Sequence, residues 1–197
     1  MSRRPPRDGF TIVEASVAAA FAALAGSTLV MATLSALQTT HNAQDQTMAL
    51  GMAQQLMDEV LGNPYLPDSG NPYATPIGPD KSEVGPTRQL FNDIGDYNGY
   101  RCQPPQDFWG VALGSDNGQG GQRDPNFQAP AGLFANWQQQ VDVYYVSQSN
   151  LTTPLSGSKT SDYRVVEVRI IYIDPITGQT NPLASLQRVI AYVAPPP

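Results

Sequence analysis

The sequence predicts an α+β fold in which one long N-terminal helix packs on a C-terminal antiparallel sheet. Apolar residues recur at helical spacing up to Gly62-Asn63-Pro64, a string typical of a helix stop. From Trp137 onward, apolar and polar residues alternate as they do in half-buried strands. A chain of 197 residues has room for one membrane-anchoring element and one domain with a single core.

The N-terminal part of the predicted helix has the length and composition of a membrane span. Residues 15–37 carry no charged side chain, and at about 1.5 Å per residue they cover the roughly 30 Å hydrocarbon core of a bilayer. Arg3, Arg4 and Arg7 precede this segment, so its N-terminal side should stay cytoplasmic and the later residues should lie outside. The apolar run is longer than that of a secretory signal, which argues against such a signal but not against a plain uncleaved anchor.

Glu14 is the only ionisable side chain between Phe10 and His41. A carboxylate within an apolar helix costs a few kcal/mol on insertion scales, so its presence indicates a function. The apolar segment itself contains no cation that could pair with it. The partner must therefore be a lipid headgroup, a neighbouring chain, or a new amino terminus created close by.

The string Gly9-Phe10-Thr11-Ile12-Val13-Glu14 follows a short basic leader and opens the apolar helix, and in this it resembles the signature of type IV prepilins. The resemblance implies a pilin-like fold, cleavage by prepilin peptidase between Gly9 and Phe10, and methylation of the new terminal Phe10. It also implies that Glu14 pairs with the terminal amine of an adjacent subunit, which makes Phe10 and Glu14 assembly residues. The chain would cross the bacterial inner membrane once, with its C-terminus outside, and would then enter a pilus or pseudopilus.

Residues 49–60 are similar to the corresponding helix region of minor pilins of the PilV class and of type II secretion pseudopilins of the GspI class. Met31 stands near the place where many major pilins have a helix-bending proline, and the chain has no C-terminal cysteine pair. Both departures from the family pattern argue against a major pilin and are compatible with a minor pilin or pseudopilin. The partners that the resemblance implies are prepilin peptidase, other pilin or pseudopilin subunits and the inner membrane.

The predicted organisation has five parts. They are a cytoplasmic basic leader (1–9), a transmembrane and assembly helix (10–37), its amphipathic second half (38–61), a loop region rich in Pro and Gly (62–136), and the antiparallel sheet (137–197). In the second half of the helix, the spacing of Leu50, Ala53, Met57 and Leu61 predicts an apolar face that a sheet or another subunit must cover.

Three strands are predicted after residue 136. The residues expected to share a face in each strand are Val141, Val143 and Tyr145, then Val166, Val168, Ile170 and Tyr172, and finally Val189, Ala191 and Val193. The third strand is expected to run from Leu186 to Val193. The string Asp174-Pro175-Ile176-Thr177-Gly178 predicts a turn before it.

Two oxygen-rich clusters lie in the predicted loop region. They consist of Asp93, Asp96 and Asn98, and of Asp116, Asn117 and Asp124. Either cluster could hold calcium, but neither has the full spacing of a calcium loop, and Asx turns that satisfy the loop backbone are the alternative. We predict no metal site and no cofactor. Cys102 is the only cysteine and is expected to be a small buried residue.

The residue inventory argues against an enzyme. His41 and Cys102 are each the only residue of their type, which argues against zinc sites and histidine-dependent triads. No phosphate-binding or dinucleotide-binding glycine motif occurs, and no catalytic residue is predicted. The net charge is -6 and no basic patch is visible, so nucleic acid is not expected as a direct structural partner.

Two classes of function remain. The first is a structural subunit of a type IV pilus-like filament that assembles through its N-terminal helix. The second is a membrane-anchored extracytoplasmic binding or adhesin module, in which the loop region from 62 to 136 binds a ligand. Cleavage after Gly9 separates the two, because an anchor does not need a free amine near Glu14.

Overall fold

A computed structural model describes residues 11–67 and 70–194 of the chain. It has one long helix followed by a five-stranded antiparallel sheet, which confirms the predicted α+β fold. The elements are α1 (Ile12–Leu61), β1 (Tyr100–Cys102), β2 (Trp137–Ser147), β3 (Asn150–Pro154), β4 (Tyr163–Ile173) and β5 (Thr180–Ala191), with short 3-10 helices at Gly95–Tyr97 and Pro125–Phe127. The chain forms two compact units, Met1–Asp45 and Gln46–Pro197.

The end of α1 lies where the sequence predicts it. The Gly62 amide donates to the carbonyl oxygens of Asp58 and Glu59 at 3.0 and 3.2 Å, which closes the last turn. Pro64 then follows, and proline cannot continue a helix because it lacks the amide donor.

The sheet is built around two long central strands. Its order is β1-β2-β4-β5, with β3 paired to the end of β2, and all pairs are antiparallel. Val141 lies opposite Val168 and Val143 opposite Val166, so these apolar side chains share one face, as predicted. Asp142 and Glu167 lie opposite each other on the other face.

The core of the C-terminal unit forms between this sheet face and the second half of α1. The α1 residues in the core are Ala49, Met52, Ala53, Leu56, Met57 and Val60, and the sheet supplies Val141, Val143, Val166, Val168 and Ile170. The predicted face was wrong in two places, because Leu50 is half exposed and Leu61 is also exposed. At about 100° per residue, Leu50 projects away from the stripe that contains Ala49, Ala53 and Leu56.

The third predicted strand is longer than expected. The face of this strand that meets the core is the one opposite to the predicted face. Strand β5 begins at Thr180, directly after a turn in which the Asp174 carboxylate accepts hydrogen bonds from the amides of Ile176 and Thr177. Val189 lies opposite Val165 on the outer face, whereas Leu186 packs against the core opposite Val168. The register with β4 therefore decides which face of β5 is inward, because paired residues share a face.

Candidate functional site

Thr11 and Glu14 form a capping box at the start of α1. Glu14 Oε2 accepts from the Thr11 amide and from the Thr11 hydroxyl, each at 3.0 Å, and Thr11 Oγ1 accepts from the Glu14 amide at 3.2 Å. Both bonds to the carboxylate are made by Oε2, so Oε1 takes part in neither. Gly9 and Phe10, the predicted processing residues, lie outside the described residues.

The first half of α1 has the length and composition of a membrane span. Within the described ranges, α1 is the one helix that is long and apolar enough to cross a bilayer, and it contains an 18-residue window with a mean hydropathy of 1.9. Several of its hydroxyl side chains are satisfied locally: Ser16, Thr33 and Thr39 each donate to the carbonyl oxygen four residues earlier at 2.8 to 2.9 Å. Satisfied hydroxyls lower the cost of placing this helix in lipid, so the segment is compatible with membrane anchoring.

A buried ion pair ties the loop region to α1. The Arg88 guanidinium is 2% exposed and contacts Glu59 through two bonds, Nε to Oε1 at 2.6 Å and Nη2 to Oε2 at 2.8 Å. Tyr97 donates its hydroxyl to Glu59 Oε1 at 3.0 Å, and Arg88 Nη1 donates to the Tyr100 hydroxyl at 2.5 Å. This pair was not predicted, because Arg88 and Glu59 are separated by an irregular segment and neither stands in a recognisable motif.

The first oxygen-rich cluster is a backbone cap. Asp96 Oδ2 accepts from the amides of Asn92 and Asp93 at 2.8 and 3.0 Å, and Asp93 Oδ1 accepts from the amides of Gly95 and Asp96. Asn98 links this segment, residues 92–98 (the Asp93 corner), to the sheet, because its Oδ1 accepts from the Val143 amide at 3.0 Å. The Asx-turn alternative therefore describes the cluster.

Two carboxylates at this corner have raised pKa values. Burial and the neighbouring Asp96 carboxylate raise the pKa of Asp93 to about 6. Burial also raises the pKa of Glu83, with the nearby Asp96 and Asp80 carboxylates adding to the effect. Both shifts favour the protonated acid in the folded chain, because the charged form is poorly solvated and repelled.

We expect Asp93→Asn to raise the free energy of unfolding above that of the unaltered chain, and to do so by more at pH 8 than at pH 4. A raised pKa means that Asp93 contributes stability below its unfolded pKa and loses that contribution as the pH rises through about 6. Since the carboxyl is only about half buried, solvent screening reduces the expected gain to about 1 kcal/mol. Thermal unfolding of the unaltered chain and of Asp93→Asn in detergent, at pH 4 and at pH 8, measures this gain.

Asp174→Asn is the matched control for this pH dependence. Hydrogen bonds from the Thr177 and Ile176 amides lower the pKa of Asp174, so its contribution is present at pH 8 and is lost as the pH falls. Its pH trend should therefore be opposite to that of Asp93→Asn. Equal pH trends in the two variants would contradict the assignment of the Asp93 effect to burial and to Asp96.

The second oxygen-rich cluster also satisfies backbone amides. Asp116 Oδ2 accepts from Gly114 at 3.1 Å, Asn117 Oδ1 from Gly121 at 3.0 Å, and Asp124 Oδ1 from Asn126 at 2.9 Å. Among residues 11–67 and 70–194, no group of three or more His, Cys, Asp or Glu side chains could hold a metal ion. Cys102 is partly buried, and its thiol donates to the Pro104 carbonyl oxygen at 3.3 Å.

A cavity of about 360 Å³ lies beside the Asp93 corner and carries charges of both signs. Arg164 lines it together with Asp80, Glu83, Asp93 and Asp96. Arg164 is 4% exposed and is held between aromatic rings, with its guanidinium carbon 4.3 Å from the Tyr65 ring centre and 4.9 Å from that of Tyr145. The sequence gives no sign of this arrangement, because it joins segments that are far apart in the chain.

Neither family models, curated proteins nor solved structures gave a match to the chain. The class of function must therefore be argued from the residues and their geometry.

Proposed function

We propose that this chain is a structural subunit of a type IV pilus-like filament, either a minor pilin or a pseudopilin. In this proposal, prepilin peptidase cuts after Gly9, and the mature chain assembles through its N-terminal helix. The chain first crosses the bacterial inner membrane once, with its C-terminal unit outside. The observation that carries the proposal is Glu14, a lone carboxylate in an otherwise uncharged span, placed just after Gly9-Phe10.

The chemistry of Glu14 supports assembly through a neighbouring amine. Cleavage after Gly9 would create a cationic terminus at Phe10, and pairing it with Glu14 of an adjacent subunit would remove two charges from the apolar interior together. The capping box needs only Thr11 and Glu14, so cleavage leaves it intact. Because the cap is made by Oε2, Oε1 can accept from the amine of the neighbour.

The distribution of buried and exposed residues along α1 also supports the proposal. One face of its second half, from Ala49 to Val60, is buried against the sheet, whereas the large apolar side chains of its first half, such as Phe21 and Leu24, are exposed. An uncovered helix of this kind is stable in lipid, and outside lipid it must be covered by other helices. A subunit that leaves the bilayer for a filament meets both conditions in turn.

Mass spectrometry of the N-terminal peptide tests this function. We expect the native protein, from membrane and sheared-surface fractions, to begin at a methylated Phe10. A Gly9→Val variant is the control and should keep its leader, because the peptidase cuts after glycine. An intact leader in the native protein, or a cut after Leu37, would contradict the proposal.

A membrane-anchored binding or adhesin module is the second candidate function. The observation that favours it is the cavity beside Asp93, where the buried Arg164 and several carboxylates could recognise a small charged ligand. An anchored module would keep its leader, so the same N-terminal measurement separates the two candidates.

A further inference from the structure

A groove with mostly apolar walls lies between the second half of α1 and the loop region. Its volume is about 470 Å³, and the apolar side chains that line it include Met48, Met52, Leu113, Phe127, Leu133 and Phe134. Two charged residues, Asp116 and Arg123, also line the groove. Both have partners within the loop, since Asp116 Oδ2 accepts from Gly114 and Arg123 Nε donates to the Asp116 carbonyl oxygen.

Phe127 is held in an exposed position at this groove. Its side chain is 73% exposed, although it ends a short 3-10 helix that begins with Pro125. Asp124 caps this helix: its carboxylate accepts from the Asn126 amide and its carbonyl oxygen from the Phe127 amide, both at 2.9 Å. An aromatic residue on a rigid turn loses little conformational freedom on binding, and aromatic residues commonly dominate interfaces.

The wall that carries Phe127 is also fixed to the core. The Ala129 amide donates to the Gly114 carbonyl oxygen at 2.8 Å, and the Phe134 ring packs against the buried Trp137 at 5.1 Å between ring centres. Leu113 and Met52 are buried at the bottom of this region. The groove is therefore a preformed surface, with an exposed aromatic residue on one wall and α1 on the other.

The N-terminal helix has the chemistry that this groove fits. Residues 15–37 are uncharged, so they can enter an apolar groove without burying a charge. Ala15, Ala19 and Ala23 recur at four-residue spacing, which lets a helix approach large side chains such as Phe127 closely. An apolar helix lying in an apolar groove is a common mode of recognition.

We propose that this groove receives the uncharged N-terminal helix of a neighbouring filament subunit. The inference rests on the proposed filament function, and it names the part of the C-terminal unit that covers a neighbour's helix after it has left the bilayer. The contact is heterologous, because the groove of one subunit meets the helix of another, and repeated contacts of this type build a filament.

Serine substitutions on the groove wall test the proposal. We expect Phe127→Ser and Leu133→Ser to lower the ratio of sheared-filament to membrane protein, for Phe127→Ser by about tenfold, while the membrane level is unchanged. Ile176→Ser is the matched control, because Ile176 is 93% exposed at the β4–β5 turn, away from the groove. Its ratio should stay at the level of the unaltered chain. An unchanged ratio for Phe127→Ser would overturn the proposal.

A photo-cross-link identifies the occupant. With p-benzoylphenylalanine at position 127 of the full chain, we expect adducts to the apolar N-terminal helix of another subunit, located by sequencing the cross-linked peptide. Adducts to lipid or to a globular segment alone would overturn the proposal. If the unaltered chain never enters filaments, the filament function fails as well. If it does enter and the Phe127 variants behave normally, only the groove assignment fails.

Discussion

Replacing Glu14 by alanine should leave the chain in the membrane but lower its incorporation into filaments by at least about tenfold. The substitution makes the span more apolar, so insertion should not suffer. In a filament, however, the terminal amine at Phe10 of the neighbouring subunit would lose its counter-charge and would be buried alone. The measurement is the ratio of sheared-filament to membrane protein in cells that produce each variant.

The capping box makes Glu14→Gln the informative companion variant. Glutamine at the third helical position can replace glutamate in a capping box, so the bond from the Thr11 amide is kept while the charge is lost. If charge pairing drives assembly, Glu14→Gln should fail as Glu14→Ala does. Normal assembly of Glu14→Gln together with failure of Glu14→Ala would show that the cap is what matters, and would contradict pairing.

The second large effect concerns the fold. Arg88→Met should lower the stability of the C-terminal unit by about 3 to 5 kcal/mol, because it leaves the carboxylate of Glu59 in a partly buried position with no cation. For a chain of this size, that loss lowers Tm by roughly 10 °C. Thermal unfolding in detergent, followed by tryptophan fluorescence, to which the buried Trp137 contributes, measures the change.

A partly exposed ion pair provides the control for Arg88. Arg101 Nη2 contacts Asp142 Oδ1 at 2.5 Å, but both side chains are partly open to solvent and Asp142 also contacts Arg169, so Arg101→Met should cost less than about 1 kcal/mol. The double variant Arg88→Met with Glu59→Leu should be more stable than Arg88→Met alone, because no unpaired charge remains buried. Equal losses for the Arg88 and Arg101 variants would contradict the expectation that leaving Glu59 partly buried and without a cation is the costly step.

The parts of the fold that could be predicted from sequence are those with a strong local signal. The end of α1 was predicted because Gly62 and Pro64 act on the backbone directly. The inward faces of β2 and β4 were predicted because central strands with one buried face show clear alternation. Strand β3 was not predicted, since its five residues are all exposed and carry no alternating pattern.

The parts that could not be predicted depend on contacts between distant segments. The face of β5 was assigned from its own alternation, but β5 is an edge strand, and its pairing with β4 decides which side meets the core. The contact between Arg88 and Glu59 likewise requires the path of the loop region to be known. For the candidate site, the sequence indicated Glu14 because one charge stands out in an apolar segment, whereas its bond to Thr11 and the groove at Phe127 required coordinates.

The point in α1 at which burial begins has a practical consequence for solution work. Ala49 is the first buried residue of the helix, and the compact C-terminal unit begins at Gln46. A truncated protein starting at Gln46 would retain every core residue of this unit and would discard the lipid-compatible segment. The chain also has a single thiol, so such a fragment needs no oxidising compartment for its production. Water-soluble expression for crystallisation or ligand screening should therefore start near Gln46 rather than at residue 38.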